Sequence, residues 1–336
     1  MQPAGVRETA RESSAVGRGR RRLLAAFVML AALLSAPLAQ AADRLAVVAT
    51  TGMIADAARE IGGEAVSVRA LMGPGVDPHS YRQTRSDIVA LTRADLVLSH
   101  GLYLEAQMEE FLDRLAVRQT VIAVGESLSK DRLLGHADYE NKFDPHVWMD
   151  PAMWADVVLS IRDALSEARP GESERFERRA AAYLEEIEAL GRYAERTTAT
   201  VPEDSRVLLT AHDAFAYFGR AYGFEVVGIQ GISTESEAGL RRIRDLVDLL
   251  VERDLGAVFV ESSVPERNVR ALVEGASARG HAVRVAGTLF SDAMGAEGSY
   301  EGTYLGMIDH NVTTIVRALG GQAPETGMAG RLGGAY

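Results

Sequence analysis

The chain has 336 residues, is 47% hydrophobic and carries a formal net charge of -11. This acidic balance argues against nucleic acid or an anionic membrane surface as a partner. The sequence contains no Cys, which excludes a thiolate metal site and a Cys nucleophile.

The N-terminus predicts a secretory signal peptide over residues 1–41. A cluster of Arg residues precedes an apolar run of twelve residues, Leu23 to Leu34. The segment Ala39-Gln40-Ala41 has the small-x-small pattern of a cleavage site, which places the mature start near Ala42. A membrane anchor is the alternative, but twelve residues fall short of the roughly 20 that a spanning helix needs.

The predicted leader indicates a periplasmic protein of a Gram-negative bacterium. A bacterial lipoprotein needs a Cys at its cleavage site, so we expect no direct membrane anchor. Residues 1–41 hold six Arg and two Glu, and their removal leaves 30 basic and 45 acidic residues, a net charge of -15. Such a chain attracts cations at long range, although weakly at physiological salt.

Short apolar runs alternate with helical stretches along the rest of the chain. The runs are nearly continuous, which is typical of strands buried on both faces of a parallel α/β sheet. The predicted strands are Leu45–Thr50, Ala65–Leu71, Leu96–Ser99, Val121–Val124, Val207–Thr210, Val226–Ile229, Ala257–Val260 and Ala282–Ala286. The predicted helices include Met53–Ile61, Thr84–Thr92, Ala152–Ala168 and Leu240–Arg253.

The order of these elements predicts an α/β fold with two lobes, each with a parallel four-stranded sheet, joined by one long helix. Four strands precede residue 130 and four follow residue 205. Between them, residues 171–200 are dense in Ala, Glu, Arg and Leu and contain no Pro; a helix of about 28 residues here would span roughly 40 Å. We therefore assign residues 42–170 to a first lobe, 201–325 to a second lobe and the Gly-rich residues 326–336 to a loose tail.

The placement of His residues is the strongest functional signal. The tripeptide Asp-Pro-His occurs twice, ending at His79 and His146, and a third His, His212, directly precedes an acid. Imidazole is the commonest transition-metal ligand, and ligands in open parallel sheets bind beyond the carboxyl ends of strands. His79, His212 and Asp292 all follow predicted strands, so three imidazoles and one carboxylate are predicted to form one metal site.

The acids beside these His residues leave two interpretations open. Asp77, Asp144 and Asp213 could orient the imidazoles by accepting hydrogen bonds, or they could cap turns. The remaining His residues are interpreted as surface or hydrogen-bonded core residues, with His100, at a strand end, the least secure assignment. They are His100, His136, His281 and His310.

Residues 73–81 (GPGVDPHSY) and residues 144–151 (DPHVWMDP) resemble the first and second ligand loops of the cluster A-I solute-binding proteins, the extracytoplasmic receptors of manganese and zinc ABC importers. Residues 212–218 (HDAFAYF) are similar to the third loop, and residues 291–295 (SDAMG) to the carboxylate loop. Residues 302–311 (GTYLGMIDHN) resemble the closing helix.

The resemblance implies a monomeric binding protein that carries one divalent ion between two α/β lobes to a membrane permease. It also implies that His79 and His146 come from the first lobe, and His212 and Asp292 from the second. No catalytic cofactor and no enzymatic activity are expected.

The expected metal is manganese, with zinc as a competitor. Residues 126–142 lack the long His-rich loop of many zinc-specific members of the resembled family, which favours manganese. The third His, which some manganese-associated members replace with Glu, is kept here as His212, and raw affinity favours Zn²⁺ over Mn²⁺. The last two observations favour zinc, whereas the missing His-rich loop favours manganese. Both ions therefore remain candidates.

The main alternative is a secreted zinc metallohydrolase, with Glu261 as its general base. Catalytic zinc usually has three protein ligands and an open position for water, whereas four ligands are expected here. We therefore favour a hydrogen-bonding role for Glu261. A surface adhesin is a third interpretation, against which the missing lipid-attachment Cys argues.

Overall fold

The computed structural model describes Met1 and residues 44–136 and 139–333. Residues 2–41 of the predicted signal peptide lie outside this range, and all elements below belong to the compact unit Leu45–Tyr336. Within the described part of the chain, no helix combines the length and apolar character needed to cross a membrane.

The first lobe is built on a four-stranded parallel sheet with strand order β2-β1-β3-β4. Its strands are β1 Leu45–Ala49, β2 Val66–Ala70, β3 Leu96–Ser99 and β4 Val121–Ala123. Its helices are α1 Gly52–Gly62, α2 Arg85–Arg93, α3 Glu109–Ala116 and α4 Pro151–Ala168. Local signals set the helix starts: Thr84 and Asp87 form a capping box on α2, and Asp150 caps α4 with Pro151 at its first position.

The second lobe contains two parallel two-stranded ladders, β5-β6 and β7-β8. Its strands are β5 Val207–Thr210, β6 Glu225–Gly228, β7 Ala257–Glu261 and β8 Arg284–Leu289. Its helices are α6 Ala216–Tyr222, α7 Leu240–Glu252, α8 Arg267–Ala278 and α9 Tyr304–Ala318. Strands β5 and β7 are in contact, but the two ladders are not joined by hydrogen bonds into the four-stranded sheet predicted for this lobe. Apolar runs predict buried strands, but they do not indicate which strands pair.

One long helix, α5 Ser173–Thr198, connects the lobes. It packs against α1 and α4 of the first lobe and α9 of the second. Its apolar stripe, which includes Phe176, Ile187 and Leu190, is buried. The predicted fold class, α/β with two lobes and one long connecting helix, is thereby confirmed.

The hydrophobic core is continuous between the lobes. A single cluster of buried side chains contains Val47 and Trp154 of the first lobe together with Phe215, Tyr304 and Ile315 of the second. The rings of Trp154 and Tyr304 stack with centroids 5.1 Å apart. We call this shared surface the seam; because it is apolar and buried, separating the lobes would expose it to water.

The described end of the chain packs on the second lobe. The buried carboxylate of Asp309 accepts hydrogen bonds from the backbone N–H groups of Met328 at 2.8 Å and Ala329 at 3.3 Å. Leu332 is buried. Residues 326–333 therefore differ from the loose tail that their glycines suggested, because a buried acid that the sequence does not reveal satisfies their backbone donors.

Candidate metal centre

Four buried side chains, His79, His146, His212 and Asp292, converge between the lobes. Each offers one ligand atom, and these atoms all lie within 4.8 Å of one another. The Nε2 atom of His146 is 3.2 Å from that of His79 and 3.4 Å from that of His212. The carboxylate of Asp292 places Oδ1 3.2 Å from His146 Nε2 and Oδ2 3.2 Å from His212 Nε2.

His79 is carried by the loop that follows β2. The loop opens with a turn in which Val76 N–H donates to the Gly73 carbonyl at 3.2 Å. Gly75 has φ +71°, a conformation that favours glycine after a Pro at the preceding turn position. Downstream, Asp77 Oδ1 accepts from the backbone N–H of His79 at 2.9 Å, so Asp77 caps the turn rather than bonding the ring.

His146 is oriented by the acid of its own tripeptide. Asp144 Oδ1 accepts from the backbone N–H of His146 at 3.0 Å and from ring Nδ1 at 2.7 Å. Beneath the loop, the buried His100 bonds the Pro145 carbonyl through Nε2 at 2.7 Å. The ring of His100 also packs edge-on against Trp148, with centroids 5.0 Å apart. His100 therefore supports the ligand loop without joining the cluster.

His212 follows β5 directly and is held by Glu261 at the end of β7. Glu261 Oε1 accepts from the backbone N–H of His212 at 2.9 Å, and Oε2 accepts from ring Nδ1 at 2.5 Å. This bond leaves Nε2 free to face the cluster. Both oxygens of Glu261 therefore accept hydrogen bonds from His212. This hydrogen-bonding role is the one preferred above to a role as general base.

Asp292 follows β8, and the loop that carries it is fixed from the first lobe. Trp148 Nε1 donates to the carbonyl of Ser291 at 2.8 Å. Asp292 Oδ1 is buried and has no hydrogen-bond partner among the described residues. This oxygen lies 3.2 Å from His146 Nε2 without a well-aligned hydrogen bond, and a cation at the centre of the cluster would satisfy it.

The three imidazoles differ in the direction of their pKa shifts. Burial lowers the pKa of His79 to about 3. Burial also opposes a charge on His146, but Asp144 and Asp292 outweigh it and raise the pKa of His146 to about 9. In the same way Glu261 and Asp292 overcome burial and raise the pKa of His212 well above its usual value. Because imidazole binds a metal ion in its neutral form, these neighbouring carboxylates make ion binding compete with protons at His146 and His212.

Burial disfavours the charged form of Asp292, but the neighbouring His212 and His146 hold its pKa well below the usual range. The cluster therefore contains one firmly ionised carboxylate. In a tetrahedral site with metal–ligand bonds of about 2.0–2.2 Å, neighbouring ligand atoms lie about 3.3–3.6 Å apart. Four of the observed separations, 3.2–3.4 Å, are close to this spacing, and the whole set of ligand atoms lies within 4.8 Å.

The other candidate residues have different roles. Asp213 is half-buried beside the cluster, where burial first and then Asp144 raise its pKa. His281 bonds the Leu255 carbonyl, and His310 bonds the Thr288 carbonyl. His136 packs against Tyr139. The prediction that these three His residues are surface or hydrogen-bonded residues agrees with their positions.

Two α/β lobes joined by a long helix, with a buried set of three imidazoles and one carboxylate between them, define an ion-binding receptor. The model of the family described as "ZnuA: Zinc-uptake complex component A periplasmic" matches residues 47–318. The chain belongs to this family.

Individual relatives agree with this assignment. The chain is 48% identical over 277 residues to the manganese-binding lipoprotein MntA of Bacillus subtilis, covering 82% of this chain and 90% of that protein. It is 30% identical over 280 residues to the iron-binding protein YfeA of Yersinia pestis, covering 83% and 88%. The solved structure of the periplasmic zinc-binding protein TroA of Treponema pallidum superposes with a TM-score of 0.80 at 46% identity, covering 82% and 99%.

Family membership identifies an extracytoplasmic substrate-binding protein of a transporter, not an enzyme. The predicted resemblance to cluster A-I receptors is confirmed. The metallohydrolase alternative finds no support among these relatives.

Proposed function

We propose that this protein captures one divalent transition-metal ion, Mn²⁺ or Zn²⁺, and delivers it to the membrane permease of an ABC importer. The proposed ligands are His79 and His146 from the first lobe and His212 and Asp292 from the second. The observation that carries the proposal is the convergence of three Nε2 atoms and a carboxylate in a buried group, with all ligand atoms within 4.8 Å.

Manganese is the proposed physiological ion, with zinc as its competitor. Both oxygens of Asp292 face imidazole nitrogens, so bidentate binding would give five ligand atoms, an arrangement that suits Mn²⁺ as well as Zn²⁺. The names of the relatives include manganese, zinc and iron, and the Irving–Williams order favours zinc at equal supply. Selection of manganese would therefore depend on geometry and availability.

The remaining assignments complete the proposal. Residues 1–41 act as a cleaved signal peptide and the mature protein works in the periplasm as a monomer. Residues 42–170 and 201–325 are its lobes, and residues 171–200 its linking helix. The permease would receive the ion from the loaded, two-lobed form.

The test is a metal titration with matched variants. We expect wild-type protein to bind one Mn²⁺ or Zn²⁺ per chain, and Asp292→Ala to lose that ion. His281→Ala, which alters a His bonded to the Leu255 carbonyl, should still bind one ion. Equal binding by wild type and Asp292→Ala would contradict the proposed site, and analysis of metal in protein taken from native periplasm would identify the ion.

A further inference from the structure

The three imidazoles of the cluster are not equally supported. The ring of His146 bonds Asp144 at 2.7 Å, and the ring of His212 bonds Glu261 at 2.5 Å. Among the described residues, no carboxylate accepts a hydrogen bond from the ring of His79, which is held instead through its backbone N–H on Asp77. The position of His79 therefore depends on Asp77.

Asp77 is itself held from the opposite lobe. Thr234 Oγ1 donates to Asp77 Oδ2 at 2.6 Å, between two half-buried side chains. Asp77 Oδ2 also accepts from Ser80 within its own loop at 2.8 Å. Hydrogen bonds to an ionised acceptor are short and strong, so the contact from Thr234 is suited to fix the Asp77 carboxylate.

Thr234 lies in the segment 231–237, which connects β6 to α7. Gln230, which immediately precedes this segment, donates through Nε2 to the carbonyls of Thr234 at 3.4 Å and Ser236 at 3.0 Å. At its start, Asp213 N–H donates to the Gly231 carbonyl at 3.3 Å, next to His212. A second contact to the first lobe joins Gln107 and Glu235.

We propose that Thr234 is a positioning residue for His79, acting through Asp77 to hold the first-lobe ligand loop against the second lobe while the ion is bound. The inference rests on the proposed function. Segment 231–237 contacts Asp213, the neighbour of His212, through Gly231 and contacts Asp77 through Thr234, so it connects the loops that carry one ligand from each lobe. Loss of the Thr234 hydroxyl should let His79 leave the ion more often and so speed metal release.

The experiment measures the rate at which Zn²⁺ leaves the loaded full-length protein after addition of excess chelator. Thr234→Val keeps the side-chain shape and removes the hydroxyl. We expect release about five- to tenfold faster than wild type, the size set by one lost hydrogen bond to a charged group near the surface. Thr234→Ser keeps the hydroxyl and should release Zn²⁺ at the wild-type rate.

The matched control is Ser233→Ala. Ser233 is the neighbouring hydroxyl residue, is also half-buried, and contacts Glu235 N–H within its own segment. It should release Zn²⁺ at the wild-type rate. Thr234→Val should lower the melting temperature of the metal-free protein by no more than a few degrees and leave its fold intact by circular dichroism, so that faster release reflects the position of His79 and not unfolding.

A double substitution tests whether Thr234 acts on His79 through Asp77. In an Asp77→Ala background the acceptor is gone, so Thr234→Val should cause no further acceleration. The inference is overturned if Thr234→Val releases Zn²⁺ at the wild-type rate, if Ser233→Ala accelerates release equally, or if the effect persists without Asp77. Failure of the wild type to bind one Zn²⁺ would instead overturn the proposed function on which the inference rests.

Discussion

The two lobes support their metal-ligating imidazoles in different ways. In the first lobe, Asp144 lies two residues before His146, and its single atom Oδ1 accepts from both the backbone and the ring of that residue. In the second lobe, Glu261 is separated from His212 by 49 residues, and each of its two oxygens accepts one bond.

This difference shows that two ligands of the same chemical type can be oriented by interactions that depend on tertiary structure to different extents. The Asp-Pro-His tripeptide contains the ligand and the acceptor that orients it, so that support forms wherever the loop forms. The support of His212 exists only when β5 and β7 lie side by side, as they do in the second lobe. The second-lobe half of the site therefore depends on tertiary structure.

The largest expected effect is the same for both lobes. His146→Ala and His212→Ala each remove a ligand, and changes in residues behind a ligand already cost about 10–100-fold in metal affinity. We expect each substitution to lower affinity more than 100-fold, measured by competition with a chelator of known affinity. An affinity within tenfold of the wild type for either variant would remove that His from the site.

The next effect should separate the lobes. In Asp144→Asn the amide oxygen can take the place of Oδ1 and keep both bonds, because Oδ2 has no hydrogen-bond partner among the described residues. In Glu261→Gln one of two accepting oxygens becomes an NH₂ group. We expect an affinity loss of about 10–100-fold for Glu261→Gln and less than about tenfold for Asp144→Asn. Equal losses in the same titration would contradict this comparison.

A pH experiment probes the seam instead of the site. Asp56 in α1 accepts from the backbone N–H of Tyr304 in α9 at 2.8 Å, and burial raises the pKa of Asp56 to about 6. A carboxyl whose pKa is raised by folding contributes stability that is complete below its unfolded pKa and is lost as pH rises through its folded pKa.

Asp56→Asn removes this titration while an amide oxygen can still accept from Tyr304. Relative to the variant, the wild type should therefore lose on the order of 1.5 kcal/mol of unfolding free energy between pH 4.5 and 6. Urea unfolding of both metal-free proteins across that range gives the difference directly. Parallel pH profiles would show that Asp56 does not titrate there.

The smallest expected effect is a change of shape on metal binding. The seam is continuous and apolar, and no Pro interrupts α5, so wide hinge opening has no obvious pivot. We expect small shifts centred on the loops that carry His212 and Asp292. Small-angle scattering with and without metal should give the same radius of gyration within error, and a large decrease on loading would contradict a rigid seam.

The sequence predicts the parts of this molecule that are locally encoded. The strands Leu96–Ser99 and Val207–Thr210 have the predicted bounds, because their apolar runs are uninterrupted. For β8 the apolar pattern predicts residues 282–286, whereas the strand runs from Arg284 to Leu289. Gly287 and Thr288 interrupt its apolar pattern, yet they pair with Phe259 and Val260 of β7.

Long-range support could not be predicted in the same way. The sequence placed the four candidate ligands at loops after strands or in Asp-Pro-His motifs, where chemistry and position coincide. It did not reveal that Glu261 reaches His212 or that Thr234 reaches Asp77, because residues 49 and 157 positions apart meet only through the fold.

The seam also limits how such proteins can exchange parts during evolution. One buried cluster is built by both lobes and contains Trp154, Tyr304 and Phe215. Neither lobe can therefore be exchanged without affecting the packing of the other. A recombinant that takes one lobe from a distant relative would bring together apolar surfaces shaped for different partners, and overpacking or voids in such a core typically cost about 1–5 kcal/mol per mismatched side chain. Metal preference in this architecture should therefore evolve through single substitutions around the site rather than through exchange of whole lobes.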